Sequence, residues 1–230
     1  MTLTRSRSDM TRLVMFDMDG VLFDSMPRHS SAWRQVFLEN GLDIPATEIY
    51  LNEGRTGSIT IDLTFRKYLG RPSPEEEYRR LYARKCAIVD AMGPMPPMEG
   101  AYEALAAVKE RGVDAIVVTG SGQAKMLARL SGIYDGMFRT EWMVSAADCT
   151  RCKPDPEPFL TGLRKAGGIA PEEALVIENS PLGVESGHSA GCRVAAVNTG
   201  PLPDSLLLDA GADFLFHSMK ELASNIDKVL

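Results

Sequence analysis

Short apolar runs recur along the chain, separated by longer stretches in which apolar residues repeat at helical spacing. The first run is Leu13-Val14-Met15-Phe16, and similar runs follow at residues 115–118, 174–177 and 193–197. They lack a clean alternation of apolar and polar residues, which is typical of strands buried on both faces of a sheet. The pattern therefore predicts four central strands of an α/β fold.

Helical patterns lie between the later runs. Four segments have helix length and amphipathic spacing: 99–111, 123–131, 157–167 and 181–190. Gly112 and Gly191 stand where glycine often ends a helix. Because strands alternate with helices, we expect a parallel sheet covered by helices.

Between about residues 28 and 93 the pattern changes to helical spacing with no strand-like run. This stretch predicts a helical domain inserted into the α/β core, and the breaker-rich segment 93–97 suits one side of a hinge. The other side would lie near residues 22–28, where Asp24 and Ser25 are expected to begin the hinge or cap the first inserted helix. The predicted organisation is a leader at 1–12, a core domain at 13–27 and 94–230, and a cap domain at 28–93.

Charge and composition narrow the range of partners. The 230 residues carry a formal net charge of -6, which disfavours binding to nucleic acid or to an anionic membrane. No apolar run reaches the roughly 18 residues of a membrane span, and the first residues lack the apolar segment of a secretory signal. We expect a cytoplasmic monomer that acts on a small molecule. Cys149 and Cys152 lack the further ligands of a zinc site, so we expect the four cysteines to be reduced thiols.

Polar residues follow each apolar run, at the sheet edge where doubly wound folds bind ligands. Asp17 and Asp19 come after the first run, and Thr119, Gly120 and Ser121 come after the second. A polar loop contributes Lys153, and the third run is followed by Glu178 and Asn179. Each piece alone has an ordinary explanation as a turn, a cap or a solvated loop, but their joint placement favours chemistry.

The chemistry expected of these side chains is phosphate chemistry. Carboxylates at Asp17, Asp19 and Glu178 would repel one another unless a hard cation such as Mg²⁺ were bound. Hydroxyls and glycine-flanked amides at 119–121 can donate hydrogen bonds to phosphate oxygens, and Lys153 supplies a compact positive charge. The sequence thus indicates a magnesium-assisted reaction on a small phosphate compound.

Together these motifs resemble those of the haloacid dehalogenase superfamily, in the branch similar to β-phosphoglucomutase that has a helical cap. Residues 16–25 resemble its first motif, Thr119-Gly120 the second, Lys153 the third, and 176–180 with Gly183 the fourth. The resemblance covers the chain from about residue 13. It implies a Rossmann-like, doubly wound parallel sheet core with an inserted α-helical cap domain.

The resemblance also implies roles for single residues. Asp17 would attack phosphorus and form an aspartyl-phosphate, and Asp19 would protonate the leaving oxygen and then activate the acceptor. Mg²⁺ would be held by Asp17, the backbone oxygen of Asp19 and the Glu178/Asn179 pair, with Thr119 and Lys153 orienting the phosphate. Asn179 stands where many relatives carry aspartate, which removes one charge from the metal shell.

The cap loop bears on the choice between a mutase and a hydrolase. In β-phosphoglucomutases this loop resembles Lys-Gly-x-x-Arg, whereas the present chain has Glu53-Gly54-Arg55-Thr56-Gly57. Loss of the expected cations counts against a sugar bisphosphate, although Arg55 could bind substrate together with Gly54 and Thr56. The loop resembles a subgroup of this branch that includes inorganic pyrophosphatases. Glu53 could reach the Mg²⁺ over a small chamber, or could be an ordinary solvated residue.

Two further readings stay open. His29 and Trp33 resemble residues near the active-site entrance of β-phosphoglucomutases, which keeps that mutase as the alternative, although their spacing of four also suits helix packing. A non-catalytic phosphate-binding module, such as a receiver domain, is the remote alternative. Chain length and the second aspartate, Asp19, oppose it.

Overall fold

A computed structural model describes residues 11–121 and 124–230. Its centre is a five-stranded, entirely parallel sheet with the order β2-β1-β3-β4-β5. The strands are β1 (Leu13–Phe16), β2 (Asp114–Val117), β3 (Ala174–Glu178), β4 (Arg193–Val197) and β5 (Phe214–Phe216). The four apolar runs form the first four of these strands. The short β5 was not predicted, since three residues carry too little pattern to reveal a strand.

Register brings the polar strand ends together. Phe16, the last residue of β1, pairs with Val117 on one side and with Ile177 on the other. The residues that follow these three positions therefore reach the same edge of the sheet. The predicted site residues at 17–19, 119–121 and 178–179 come from those segments.

Helices cover both faces of the sheet, which confirms the doubly wound, Rossmann-like α/β core. They are α5 (Ala101–Glu110), α6 (Ala124–Ile133), α7 (Glu157–Lys165), α8 (Pro181–Ser189), α9 (Asp204–Asp209), α10 (Met219–Ser224) and α11 (Ile226–Val229). Val14 and Phe16 of β1 belong to an apolar cluster that includes residues of α5 and α10. Leu13 and Met15 face the opposite cluster, which includes residues of α7 and α8. Alternate side chains of one strand thus serve two cores.

Four helices occupy the stretch for which a cap was predicted: α1 (Met26–Glu39), α2 (Ala46–Leu51), α3 (Gly57–Leu69) and α4 (Glu75–Ala91). The two chain segments that join them to the sheet lie side by side. Asp24 N donates to Pro96 O at 3.0 Å, and Met98 N donates to Leu22 O at 2.8 Å. These contacts form a short antiparallel connection at the predicted hinge.

Ser25 differs from the expectation that it caps α1. It occupies the N-cap position but makes no side-chain cap hydrogen bond. Its hydroxyl donates to Asp19 Oδ1 at 2.5 Å instead, because the carboxylate is a stronger acceptor and lies within reach. The predicted leader falls almost entirely outside the described residues. Within the described part of the chain, no helix is both long enough and apolar enough to span a membrane.

Candidate active site

Asp17 and Lys153 form a buried ion pair at the end of β1. Lys153 Nζ donates to Asp17 Oδ1 at 2.5 Å, to Glu178 Oε1 at 2.7 Å and to the backbone oxygen of Val118 at 3.0 Å. An ammonium has three donors, so these contacts use all of them. Lys153 therefore fixes the orientation of Asp17 and neutralises part of the negative charge that the sequence places here.

Glu178 is fully buried, and its Oε1 accepts one of the hydrogen bonds that fix the Lys153 ammonium. Its Oε2 accepts hydrogen bonds from the backbone N of Asn179 at 2.9 Å and from both the N and the Oγ of Ser180 at 3.1 Å. A Cβ on Gly183 would lie 1.9 Å from the Glu178 carboxylate, so glycine is needed there. Both Glu178 oxygens thus accept hydrogen bonds from protein donors, and an ionised carboxylate keeps further lone pairs, so its role as a direct metal ligand stays a prediction.

Burial raises the pKa of the Asp17 carboxyl to about 8. The charge of Lys153 lowers this pKa, but the negative charges of Glu178 and Asp19 act in the opposite direction. Lys153 is also buried, but the two carboxylates outweigh burial and raise the pKa of its ammonium. An ionised Asp17 at neutral pH therefore calls for further positive charge at the site.

A second network orients Asp19. Its Oδ1 accepts from Ser25 Oγ and lies 3.3 Å from His29 Nε2, while His29 Nδ1 lies 3.0 Å from Lys85 Nζ. Burial alone would raise the pKa of Asp19, but His29, Ser25 and Lys85 outweigh it and lower the pKa to about 2. Asp19 is thereby held in place by two cap helices, α1 and α4.

The contact between Lys85 and His29 limits their charges. Two nitrogens 3.0 Å apart need one donor and one acceptor, so the pair does not carry a full positive charge on both members. Burial lowers the pKa of the Lys85 ammonium, and the charge of Asp19 opposes that effect. In either protonation pattern with one shared charge, His29 Nε2 remains the donor to Asp19.

Glu53 of the cap reaches the core at Asn179. Asn179 Nδ2 donates to Glu53 Oε1 at 2.9 Å, while Asn179 Oδ1 is buried with no hydrogen-bond donor among the described residues. Burial, together with the charges of Asp17, Glu178 and Asp19, raises the pKa of Glu53 well above its ordinary value. An oxygen without a donor beside crowded carboxylates is what a bound cation would satisfy.

The oxygen atoms here fit a magnesium ion. Across residues 11–121 and 124–230, no three His, Cys, Asp or Glu side chains converge as a metal-binding group. Magnesium sites commonly use only one or two carboxylates together with neutral oxygens, waters and substrate phosphate. Asp17, the backbone oxygen of Asp19, Asn179 Oδ1 and Glu53 could supply such a set.

A cavity of about 100 Å³ lies between cap and core. Five of its lining residues come from predicted core positions: Asp17, Asp19, Thr119, Gly120 and Ser121. Five come from predicted cap positions: His29, Trp33, Glu53, Gly54 and Arg55. Pockets for drug-sized ligands run to roughly 300–1,000 Å³, so this cavity suits a compact substrate.

The cap loop closes the cavity against the core. A Cβ on Gly120 would lie 2.9 Å from Gly54 O, and a Cβ on Gly54 would lie 3.2 Å from the side chain of Lys153. Gly54 therefore packs on the core. Thr56 is not part of this cavity's lining but lines a neighbouring cavity, together with the predicted residues Thr119, Gly120 and Lys153.

Arg55 brings positive charge to the cavity. Its Nε is buried and has no hydrogen-bond partner among the described residues, and the side chain is part of the cavity lining. A buried guanidinium nitrogen without an acceptor is costly unless an anion arrives.

Residues 11–191 match the family described as haloacid dehalogenase-like hydrolases. This chain belongs to that family. The match contains every motif residue from Asp17 to Gly183, and the fold agrees with it. The chain is therefore a hydrolase of the haloacid dehalogenase type.

Characterised relatives span nearly the whole chain. Hexitol phosphatase A of Escherichia coli is 29% identical over 211 residues, which cover 90% of this chain and 91% of that protein. N-acetylmuramic acid 6-phosphate phosphatase of Pseudomonas aeruginosa is 30% identical over 227 residues, covering 95% of this chain and 96% of its own length. A Bacteroides vulgatus structure, provisionally assigned as a β-phosphoglucomutase, superimposes with a TM-score of 0.91 at 44% identity, covering 97% of this chain and 90% of that one.

Sequence reasoning missed two parts of the site. Lys85 was not predicted, although it shares the buried face of α4 with Leu81 and Ile88. A lysine four residues from a buried leucine, on an apolar helix face, was the available signal. Ser25 was predicted as a cap and not as a partner of Asp19, because its distance from that carboxylate depends on the fold of residues 17–25.

Proposed function

We propose that this hydrolase is a Mg²⁺-dependent phosphohydrolase that acts through an aspartyl-phosphate, with inorganic pyrophosphate as its leading substrate. The observation that carries this proposal is the contact between Glu53 and Asn179 over a cavity of about 100 Å³. A cap carboxylate placed there limits the space for a sugar and adds an oxygen ligand for a cation.

In the proposed reaction, Asp17 attacks phosphorus and the bond from phosphorus to the leaving oxygen breaks. Asp19 gives its proton to that oxygen, then takes a proton from the water that attacks the aspartyl-phosphate, which releases phosphate and restores Asp17. Lys153 orients Asp17 for attack, and the Thr119 hydroxyl with the Gly120 amide orients the phosphoryl oxygens, while the Ser121 amide donates to Thr119 Oγ1 at 3.0 Å. Mg²⁺, bound by Asp17, the Asp19 backbone oxygen, Asn179 and Glu53, would neutralise phosphate charge.

Arg55 supports pyrophosphate as the substrate. Pyrophosphate carries charge at both ends, so a site for it needs a cation away from the nucleophile. Arg55 Nε, which has no hydrogen-bond partner among the described residues, offers that charge from the cap. The arginine of the β-phosphoglucomutase loop stands at a different position, where this chain has Gly57.

Two other activities have specific support. The sugar phosphate phosphatases among the relatives favour hydrolysis of a phosphorylated sugar or sugar alcohol. The chain of Lys85, His29 and Asp19, together with the Bacteroides vulgatus neighbour, favours a β-phosphoglucomutase that converts β-glucose 1-phosphate to glucose 6-phosphate. A non-catalytic phosphate-binding module has less support, because it would need no oriented second aspartate.

One panel separates these activities. Phosphate release is measured from pyrophosphate, hexitol phosphates and β-glucose 1-phosphate, with Mg²⁺ and with EDTA, while glucose 6-phosphate is followed separately. We expect pyrophosphate to give the highest kcat/KM, with activity lost in EDTA and in Asp17→Asn. A higher kcat/KM for a sugar phosphate, or isomerisation with little free phosphate, would replace pyrophosphate as the assignment. Tight phosphate binding by the wild type without turnover would indicate the binding module.

A further inference from the structure

A small apolar cluster joins the cap to the core outside the two clusters that flank the sheet. Its buried members are Met26, Tyr50 and Leu202, and Leu206 packs against them. Tyr50 belongs to the cap helix α2, whereas Leu202 lies in the loop that follows β4. The cluster lies at a boundary that opens if the cap moves away from the sheet.

The core side of this cluster is a fixed surface. Asn198 Nδ2 donates to Leu202 O at 2.9 Å, which closes the loop 198–202 on itself. Thr199 Oγ1 donates to Gly20 O at 2.7 Å and so ties the loop to the segment that carries Asp17 and Asp19. A cap side chain seated on this loop is therefore positioned relative to the reacting carboxylates.

Tyr50 makes that contact. The ring packs with Leu202 in the apolar cluster and faces Gly200, where an added Cβ would lie 3.4 and 3.5 Å from two of its ring carbons. The pKa of Tyr50 is raised by burial and by the nearby charges of Glu53 and Asp24. The residue thus lies between the apolar cluster and the acidic end of the cavity.

Tyr50 is also joined to Glu53 through the backbone. Glu53 N donates to Tyr50 O at 3.2 Å, at the end of the last turn of α2. Glu53 Oε1 in turn accepts from Asn179 Nδ2 at 2.9 Å. One short cap segment is therefore attached to the core at two points, by an apolar contact at Tyr50 and by a polar contact at Glu53.

We propose that Tyr50 is a positioning residue whose ring, seated on the loop 198–202, acts as a latch that holds Glu53 over the active site. The proposal rests on the function proposed for Glu53 in serving the cation and the substrate. A side chain that keeps a ligand in place commonly changes metal affinity or activity by about 10–100-fold, although it touches neither metal nor substrate. Tyr50→Ala should therefore raise the Mg²⁺ concentration needed for half-maximal activity, and Tyr50→Phe, which keeps the ring, should restore it.

The latch is tested first without metal or substrate, by hydrogen exchange of the metal-free protein. In Tyr50→Ala and in Leu202→Ala, amide exchange in 50–53 and 198–202 should quicken by roughly tenfold, because each change removes the apolar contact that holds these two segments closed. Leu207→Ala is the matched control, because Leu207 is a buried leucine of the same region that packs in the sheet core. Unchanged exchange in Tyr50→Ala, or the same local pattern in Leu207→Ala, would overturn the latch.

A double-mutant cycle then tests the connection to Glu53, with p-nitrophenyl phosphate as a substrate that presupposes no particular natural one. If Tyr50 acts through Glu53, Tyr50→Ala should raise the Mg²⁺ half-saturation about tenfold in the wild type and less than about twofold in a Glu53→Ala background. Equal effects in both backgrounds would overturn the proposal. An unchanged Mg²⁺ requirement in Glu53→Ala alone would refute the function proposed for Glu53, while hydrogen exchange would still report whether the contact at Tyr50 exists.

Discussion

At the scale of single residues, two aspartates that are two positions apart meet opposite surroundings. Burial raises the pKa of Asp17 to about 8, whereas the contacts of Asp19 with His29, Ser25 and Lys85 lower its pKa to about 2. This order is the reverse of what a nucleophile and a general acid require. A cation beside Asp17 lowers its pKa, and an anionic phosphate beside Asp19 raises that of Asp19. Ligand binding would thus prepare both residues for their proposed roles.

Lys85→Met tests the network that orients Asp19. We expect kcat to fall by roughly 10–100-fold, within the range that general acid–base catalysis supplies, because Asp19 loses support through His29. Since Lys85 lowers the pKa of Asp19, its loss should move the limb of the kcat profile that reports Asp19 to higher pH. Arg84→Met is the control, since that neighbouring cation pairs with Glu39 on the outer surface. A pH profile and kcat equal to those of the control would exclude this role for Lys85.

Glu53→Gln tests the cap carboxylate without changing its size. The Mg²⁺ concentration for half-maximal activity should rise about tenfold or more, because one charged oxygen donor is replaced by an amide. Activity is measured over a Mg²⁺ titration. Glu48→Gln, on the helix α2 that precedes Glu53, should behave as the wild type, because Glu48 pairs with Lys67 away from the cavity. The same Mg²⁺ half-saturation in both variants would show that Glu53 does not serve the cation.

At the scale of elements, cap and core meet through backbone at the Gly54–Gly120 contact. The loop after α2 and the loop after β2 approach so closely that a single methyl group at Gly120 would lie 2.9 Å from Gly54 O. Backbone atoms have little room to shift, so the absence of a side chain at Gly120 determines how closely the cap loop can approach the core. The depth of the cavity, and with it the size of the substrate, depends on this contact.

Gly120→Ala should therefore hold the cap loop away from the core. We expect kcat/KM to fall by roughly tenfold or more, chiefly through a higher KM, because misplacement by about 1 Å can cost about 100-fold. Steady-state kinetics measure this effect. Gly132→Ala serves as the control, because a Cβ there meets no atom of the described residues within 4 Å. It should leave kinetics unchanged and add up to about 1 kcal/mol of stability. Equal KM values in the two variants would contradict the prediction.

At the scale of the whole molecule, the sheet divides the interior into two apolar clusters, and its polar edge meets the cap. The cap contributes half of the predicted residues that line the cavity, so the candidate site is formed only when cap and core are both in place. The four cysteines all have free thiols, of which Cys192 is buried. That thiol offers a probe of global folding.

Burial raises the pKa of the Cys192 thiol to about 12, so in the native protein it should resist iodoacetamide at pH 8. Denaturant should make it react at the rate of an ordinary thiol, because the pKa then returns toward about 8.5. Peptide mass spectrometry after timed alkylation measures both rates. Half-buried Cys152 in the same sample is the internal comparison, and equal native rates for the two residues would contradict the expected protection.

The sequence by itself determined the four main strands, the helical insert and the identity of the candidate nucleophile, because apolar periodicity and strand-end position are local properties. The tertiary structure decided which charged groups meet. Lys153 joins Asp17 across 136 positions and Glu53 joins Asn179 across 126, and no local pattern encodes such distances. The proposed roles of Lys85 and Tyr50 also depend on contacts between residues that are distant in sequence, with His29 and with Leu202. A side chain's pKa and partners depend on its neighbours in space, which sheet register and cap packing fix only in the folded chain.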